Sequence, residues 1–442
     1  MIPWPREGRV RVAWGAAALA GALAVAAPWL ATWRPVPPDR LAASVLRVTS
    51  SADSGPGSLR EAILAADRAD GRTRIVVAVP SIVLAAGLPP LVNPSGIVLE
   101  AEQSFVELTG PRVAGPLLDV ASPRTMLSGF RIVGAPAGVV VRAPGATLRN
   151  LTIVDGETGV LVGEGADQIT IEASVFARNR IGVHVSAPSG RVSLRGNRFD
   201  DHRLAGIWAV AAQAGAPEAP QIVSLNNRYR DNANGLVAVN VVAHIERDVF
   251  DGHRDAAVHV SGARAVIRGN TIRGGRRFGV YAERLSSGVI TGNEIARNCA
   301  GGLMVRNVRN TEVLTNQLYQ NGFGIVLMEG GSISPNTVAG NLITDHVEDG
   351  LVLIASSPLV RRNRLLRNRR AGLRLSSLVA ASGETQTPQP LLSENVLSGN
   401  GYDDPLRDQY VNVSPPAATA AADCGWRLGA MPPRLAQNLE TH

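Results

Sequence analysis

The chain is 442 residues long, 45% apolar and 18% charged, with a formal net charge of +7 and two cysteines. That apolar content excludes a disordered polymer, and two cysteines exclude a disulfide-built scaffold, while 46 glycines with 4% aromatic residues suit tightly turning β-structure. All 44 basic residues are arginine, which GC-rich coding explains as readily as arginine chemistry, so the charge permits an anionic partner without demanding one.

Arg6, Arg9 and Arg11 precede a largely apolar run over 12–33, long enough to span a bilayer core. Ala24 to Ala27 offer small residues for a signal peptidase, whereas Trp14, Trp29 and Trp33 sit near the ends of the run, as interfacial residues do. Residues 1–40 are therefore expected to be a signal peptide or membrane anchor with its linker, and the tryptophans favour an uncleaved anchor. The rest of the chain is then exported, to a periplasmic or extracellular face, anchored to the inner or cytoplasmic membrane.

Residues 45–124 are expected to hold an N-terminal cap and the first coils. Within "DSGPGSLREAILAAD", from Asp53 to Asp67, Ser58 and Glu61 have capping-box spacing, and Leu59, Ile63 and Leu64 are expected on one apolar helical face. Such a helix would plug the exposed strand edges of a first coil.

From 125 to 400 the chain repeats. Glycine followed by alternating apolar residues recurs, as in "GVLV" at Gly159, "GVHV" at Gly182 and "GVYA" at Gly279, with most gaps 21 to 24 residues. Locked to it is Asn or Asp, any residue, then a large apolar one, as in Asn197–Phe199, Asp248–Phe250 and Asn293–Ile295. Three short strands with Asn/Gly turns use up one such period, which predicts one coil of a β-solenoid per repeat. Stacked coils would pile the apolar residues into an internal column and the turn asparagines into a ladder.

Side chains alternate along a strand, so the residue two after each glycine should point outward. That column contains His184, Trp208, Val237, His259, Tyr281 and Met304. A solvated face would carry Thr, Ser, Arg or Glu, so this stripe, about 24 Å long at strand spacing, is expected to be covered by a ligand, by loops or by a partner chain. His202, Asp231 and His253 stand four residues before the glycine position, with Asp201, Arg203, Asp255, Arg276 and Arg277 close by. They are expected to gather on one edge of the stripe. The insertion 211–220 lengthens one repeat and would wall the same groove. Further on, the coil 361–374 carries seven arginines. Asp345, His346, Glu348 and Asp349 cluster in one turn whose carboxylates could hold a divalent ion such as calcium through oxygen ligands, although the turn lacks the spacing of a calcium repeat. No other cofactor is expected. After Asn400 the repeat dissolves into an irregular, proline-bearing tail, 401–442, which contains Cys424; the other cysteine, Cys299, sits in a coil, and sequence does not show whether they meet.

The Asn/Gly coils resemble right-handed parallel β-helix repeats of the pectin lyase-like superfamily, and "DSGPGSLREAI" resembles the motif that often leads into such domains. The resemblance implies an all-β, single-stranded right-handed parallel β-helix with an N-terminal capping helix behind the transmembrane or signal segment. For activity the resemblance is unspecific; the exported stripe from His184 to Met304 is itself expected to bind an extended, anionic polysaccharide or other envelope polymer, and no nucleic-acid partner is expected. Enzymes of this superfamily that act on uronic-acid polymers remove a proton beside a carboxylate, which needs a neutralising cation, a base and an acid. Arg276 or Arg277 would supply the first, His259 or His253 the second and Tyr281 the third, with Asp231 or Asp255 orienting a histidine. His184, Trp208 and Met304 would bind substrate. Asp201 with Asp231 would instead suit glycoside hydrolysis. The chain lacks the Asn-Thr-Asp with Gly-His-Gly, Asp-Pro-His-Asp and Arg-x-Pro-x-x-Arg signatures of the superfamily's enzymes. Lyase, epimerase and hydrolase thus stay open, as does a non-catalytic scaffold that docks another envelope protein.

Overall fold

In the computed structural model the described residues are 44–103, 105–110, 115–186, 190–211, 220–328, 336–379 and 383–402, with the backbone of 406–408. The expected anchor over 1–40, the core of the insertion (212–219) and the tail from 409, Cys424 included, lie outside them. Among the described residues no helix is long and apolar enough to cross a membrane.

Three long parallel sheets of 15, 14 and 13 strands run along the described chain, each complete coil giving one strand to each. Left-handed residues recur at the corners, and two of their columns matter most here. One column, including Gly196, Asn226, Arg247, Gly269 and Gly292, turns the chain from the first sheet to the second. Another, including Arg178, Asp201, Asp231, Gly252 and Gly274, turns it from the second to the third, all with φ between 50° and 74°. The side chain after each such corner points into the solenoid.

The first inward column is the expected asparagine ladder. Asn293 is typical: its N–H donates to Asn316 Oδ1 (3.0 Å), its Nδ2 donates to the Ile267 carbonyl (2.9 Å), and its own Oδ1 accepts from Asn270 N (2.9 Å). Every polar atom of a buried amide is thereby used, which makes an interior polar column compatible with a dry core. Asp248 occupies one rung, accepting from Asn227 N (2.6 Å) and from Ser224 Oγ. Two residues beyond each rung lies the apolar column, where the rings of Phe176, Phe199, Tyr229 and Phe250 stack at 5.1, 4.9 and 4.4 Å with planes within 10°. Those separations match strand spacing, so the rings touch without distorting the sheet.

The helix spans Leu59–Asp67. Ser58 Oγ accepts from Glu61 N (3.3 Å), and Glu61 Oε2 accepts from Gly57 N (2.7 Å). Leu59, Ala62, Ile63 and Ala66 are buried, while Leu64, expected on the same face, is 41% exposed. At about 100° per residue Leu64 falls well round the helix from Leu59, and the small Ala62 and Ala66 complete the apolar face instead.

Candidate functional site

The outward stripe forms as a continuous column of the third sheet. His184 pairs with Trp208, Trp208 with Val237, Val237 with His259, His259 with Tyr281 and Tyr281 with Met304. His184, Trp208, His259 and Tyr281 are half-buried, whereas Val237 and Met304 are buried. Met304 joins Val326, Met328, Val352 and Ile354 in an apolar cluster on the outer face, so it is not available to a ligand as expected.

The turn-edge grouping does not form. His202 and His253 are fully buried, because each follows a left-handed corner residue and therefore points into the solenoid. They occupy a second inward ladder, five residues after the first, whose other rungs include Asn179, Asn232, Asn298, Asn321 and Asn368. His202 Nδ1 accepts from Asn179 N (3.2 Å), as His346 Nδ1 does from Asn321 N (3.1 Å), and His202 N donates to Asn232 Oδ1 (2.9 Å). Burial pulls all three imidazoles down to about 4, so they are neutral at pH 7. Gly182 is required by this ladder: a Cβ there would meet the Gly206 carbonyl at 2.5 Å and His202 Nε2 at 2.8 Å.

Asp201 and Asp231 are exposed corner residues beside Arg254 (3.6 Å) and Arg230 (3.2 Å). Asp255 pairs with Arg277 Nη1 at 2.7 Å rather than with a histidine, and Arg276 is exposed. In the arginine-rich coil, Arg362, Arg367, Arg370 and Arg374 pair with Glu394, Asp345, Glu348 and Asp349 of neighbouring coils. The acidic turn is thereby spent on ion pairs, and His346 faces inward. Among the described residues no three His, Cys, Asp or Glu side chains converge as a metal site requires.

What the fold does bring together is a cluster on the outer face of the third sheet. His259 and Tyr281 meet edge to face, with centroids 5.0 Å apart and planes at 89°. Glu283, two residues beyond Tyr281 on the same strand, accepts from the Tyr281 hydroxyl at 3.3 Å. The same carboxylate lies 3.8 Å from His259 Nε2, longer than a hydrogen bond but close enough for charge pairing. The His259 imidazole holds the Glu283 carboxyl below its ordinary range, ahead of the smaller help from Arg284 and Tyr281. Burial raises the Tyr281 phenol, Glu283 raises it further, and Arg306 on the next coil opposes them through charge and a hydrogen bond. Arg306 pairs with Glu283 in register, as Glu283 does with Ser261, so the second outward column carries Ser261, Glu283 and Arg306 beside the first. Reading only the first column missed them; alternation by two from Tyr281 is the signal that points to Glu283.

The family described as right handed beta helix region matches residues 121–265 and 225–365, which together make up more than half of the chain. The chain belongs to the right-handed β-helix family. Among curated proteins none matches it by sequence. Solved β-helices share the fold at low identity. The mannuronan C-5 epimerase A-module of Azotobacter vinelandii is 13% identical, with a TM-score of 0.48 over 82% of this chain and 97% of that one. The catalytic unit of an alpha-1,3-glucanase from Streptomyces thermodiastaticus is 14% identical (TM-score 0.48, 85% and 71% covered). A periplasmic alginate epimerase is 16% identical (TM-score 0.40, 76% and 83% covered). At these identities each likeness is one of fold alone.

Proposed function

We propose that the outer face of the third sheet binds an extended acidic polysaccharide and that His259, Tyr281, Glu283 and Arg306 move a proton at the carbon beside a uronate carboxylate, as a lyase or an epimerase does. The observation that carries this reading is the Glu283 carboxylate set between the Tyr281 hydroxyl and the His259 imidazole on adjacent coils of an outward, half-buried surface. With its proton on Nε2 toward Glu283, the His259 imidazole keeps Nδ1 as the basic atom. A phenol raised by burial stays protonated at neutral pH and serves as the acid, while Arg306 offers positive charge for the substrate carboxylate. Trp208, three rungs from Tyr281 and so about 14 Å away, supplies a flat surface for a neighbouring sugar. Export of the chain, expected from Arg6 to Trp33, would bring this face to envelope or extracellular polymers.

The test is a panel of polymannuronate, polyguluronate, polygalacturonate and a neutral glucan, followed by solvent-deuterium incorporation and by formation of unsaturated ends. His259→Ala and Tyr281→Phe should each lower turnover about 100-fold or more without loss of fold, since a positioned acid or base contributes on that scale. Glu283→Gln should lower it less. Failure of every uronate polymer to bind or to exchange a proton refutes the reading and leaves the scaffold alternative.

A further inference from the structure

Beyond the His259 cluster, the outer face of the third sheet changes character. Met304, Val326 and Val352 stack in one outward column, with Met328 and Ile354 in the next. All five are only 4–7% exposed although they point away from the solenoid interior. Among the described residues, Phe278, Tyr281, Phe323 and Leu378 pack against them from the sides. An outward apolar face of this kind needs something lying on it.

Two further observations say what. Cys299, in the turn that enters the third-sheet strand Gly301–Arg306, is disulfide-bonded, and the only other cysteine in the chain is Cys424. The last described strand, Leu406–Asp408, also belongs to the third sheet, four rungs beyond Gly301–Arg306, or about 19 Å at strand spacing. The chain from Asp408 to Cys424 reaches up to about 50 Å when extended, ample for the return. Around Cys424 the sequence is apolar, with Trp426, Leu428 and Met431.

We propose that the C-terminal segment 409–431 runs back across the outer face of the third sheet, is pinned by a Cys299–Cys424 disulfide, and seats Trp426, Leu428 and Met431 on Met304, Val326, Met328, Val352 and Ile354. Closing the bond converts two thiols to one disulfide. The two electrons and two protons pass to a disulfide-bearing oxidant, which leaves as a dithiol, as exported proteins commonly experience. The strap ends the stripe just past Tyr281, so a bound polymer extends from there toward Trp208 and His184. That last consequence rests on the polysaccharide reading above; the strap itself does not.

The experiment uses the full chain and no ligand. Thiol-blocked protein digested without reductant should yield Cys299 and Cys424 in one linked peptide from a monomer. Limited trypsin should cut slowly after Arg427 in oxidised protein and at least 10-fold faster after dithiothreitol or in Cys424→Ser. Met328→Glu should also speed that cut while the disulfide stays intact, which reads the apolar seat separately from the bond. Finding both cysteines as thiols, or linked only between molecules, overturns the strap. So does a cut after Arg427 as fast in oxidised wild type as in Cys424→Ser, or one that Met328→Glu leaves unchanged. Because no readout involves turnover, strap and polysaccharide reading fail independently.

Discussion

Replacing Asp248 by asparagine should stabilise the protein, and more at pH 8 than at pH 5. Asp248 is a carboxyl in a ladder of amides, 1% exposed, and burial pushes it from its ordinary 3.8 up to about 7 despite the hydrogen bonds from Ser224 and Asn227. A carboxyl raised on folding contributes its full stability below about pH 4, where both states hold the proton. That contribution is lost as pH rises toward about 7, because the unfolded chain ionises first. The rise from 3.8 to about 7 corresponds to about 4 kcal/mol once pH exceeds 7, and roughly 2–3 kcal/mol of that loss falls between pH 5 and 8. Asparagine is isosteric, keeps Oδ1 for Asn227 N, and presents an amide to Ser224 Oγ, so it removes the titration without breaking the rung. The buried histidines titrate in the opposite sense over part of the same range, so the wild-type pH curve alone is uninformative; they cancel in the difference between variant and wild type. Solenoids unfold in neighbouring blocks, so the assay pairs urea midpoints with amide exchange at Asn227, whose N–H donates directly to Asp248. Equal stabilisation at pH 5 and pH 8 would refute a buried, proton-holding Asp248.

Phe199→Ala removes the ring between Phe176 and Tyr229 and should cost about 3–5 kcal/mol in urea denaturation; a loss under about 1 kcal/mol would contradict the stack. His202→Asn restores the residue found on neighbouring rungs, so stability at pH 7 should stay within about 1 kcal/mol of wild type. Burial holds His202 at about 4, so its contribution is present above about pH 6.5 and is lost as pH falls to about 4, roughly 3 kcal/mol in all. The asparagine variant should therefore resist acid better than wild type, as read by thermal midpoints at pH 7 and pH 4. An identical acid response in both proteins would mean that the imidazole is solvated.

The architecture was legible because the period acts on every coil at once. A single Asn197 or Phe199 predicts little, but the same pair at Asn227 and Tyr229, then at Asp248 and Phe250, can only satisfy its buried amides and rings by stacking. The outward stripe followed from alternation alone, residue for residue, since parallel pairing in register copies the facing of one strand onto the next. His202 and His253 were misplaced for a reason equally visible in the repeat. Five residues after each first-ladder position stands Asn in most coils and His in three, and a histidine that replaces a buried amide inherits the amide's direction.

Alternation fixes which side of a sheet a residue faces, yet says nothing of what lies over that side. Tyr281 and Met304 are adjacent rungs of one column, but Tyr281 keeps partial access beside Glu283 while Met304 disappears beneath other atoms. What lies over one rung and not over the next comes from outside the repeating unit, so no period announces it. A β-helix thus writes its frame in the repeat and its chemistry in the departures from it. Glu283 belongs to the second kind: the neighbouring rungs of its column are Ser261 and Arg306, and no repeat of the sequence requires a carboxylate there. Its position between an imidazole and a phenol is the departure on which the proposed proton transfer depends.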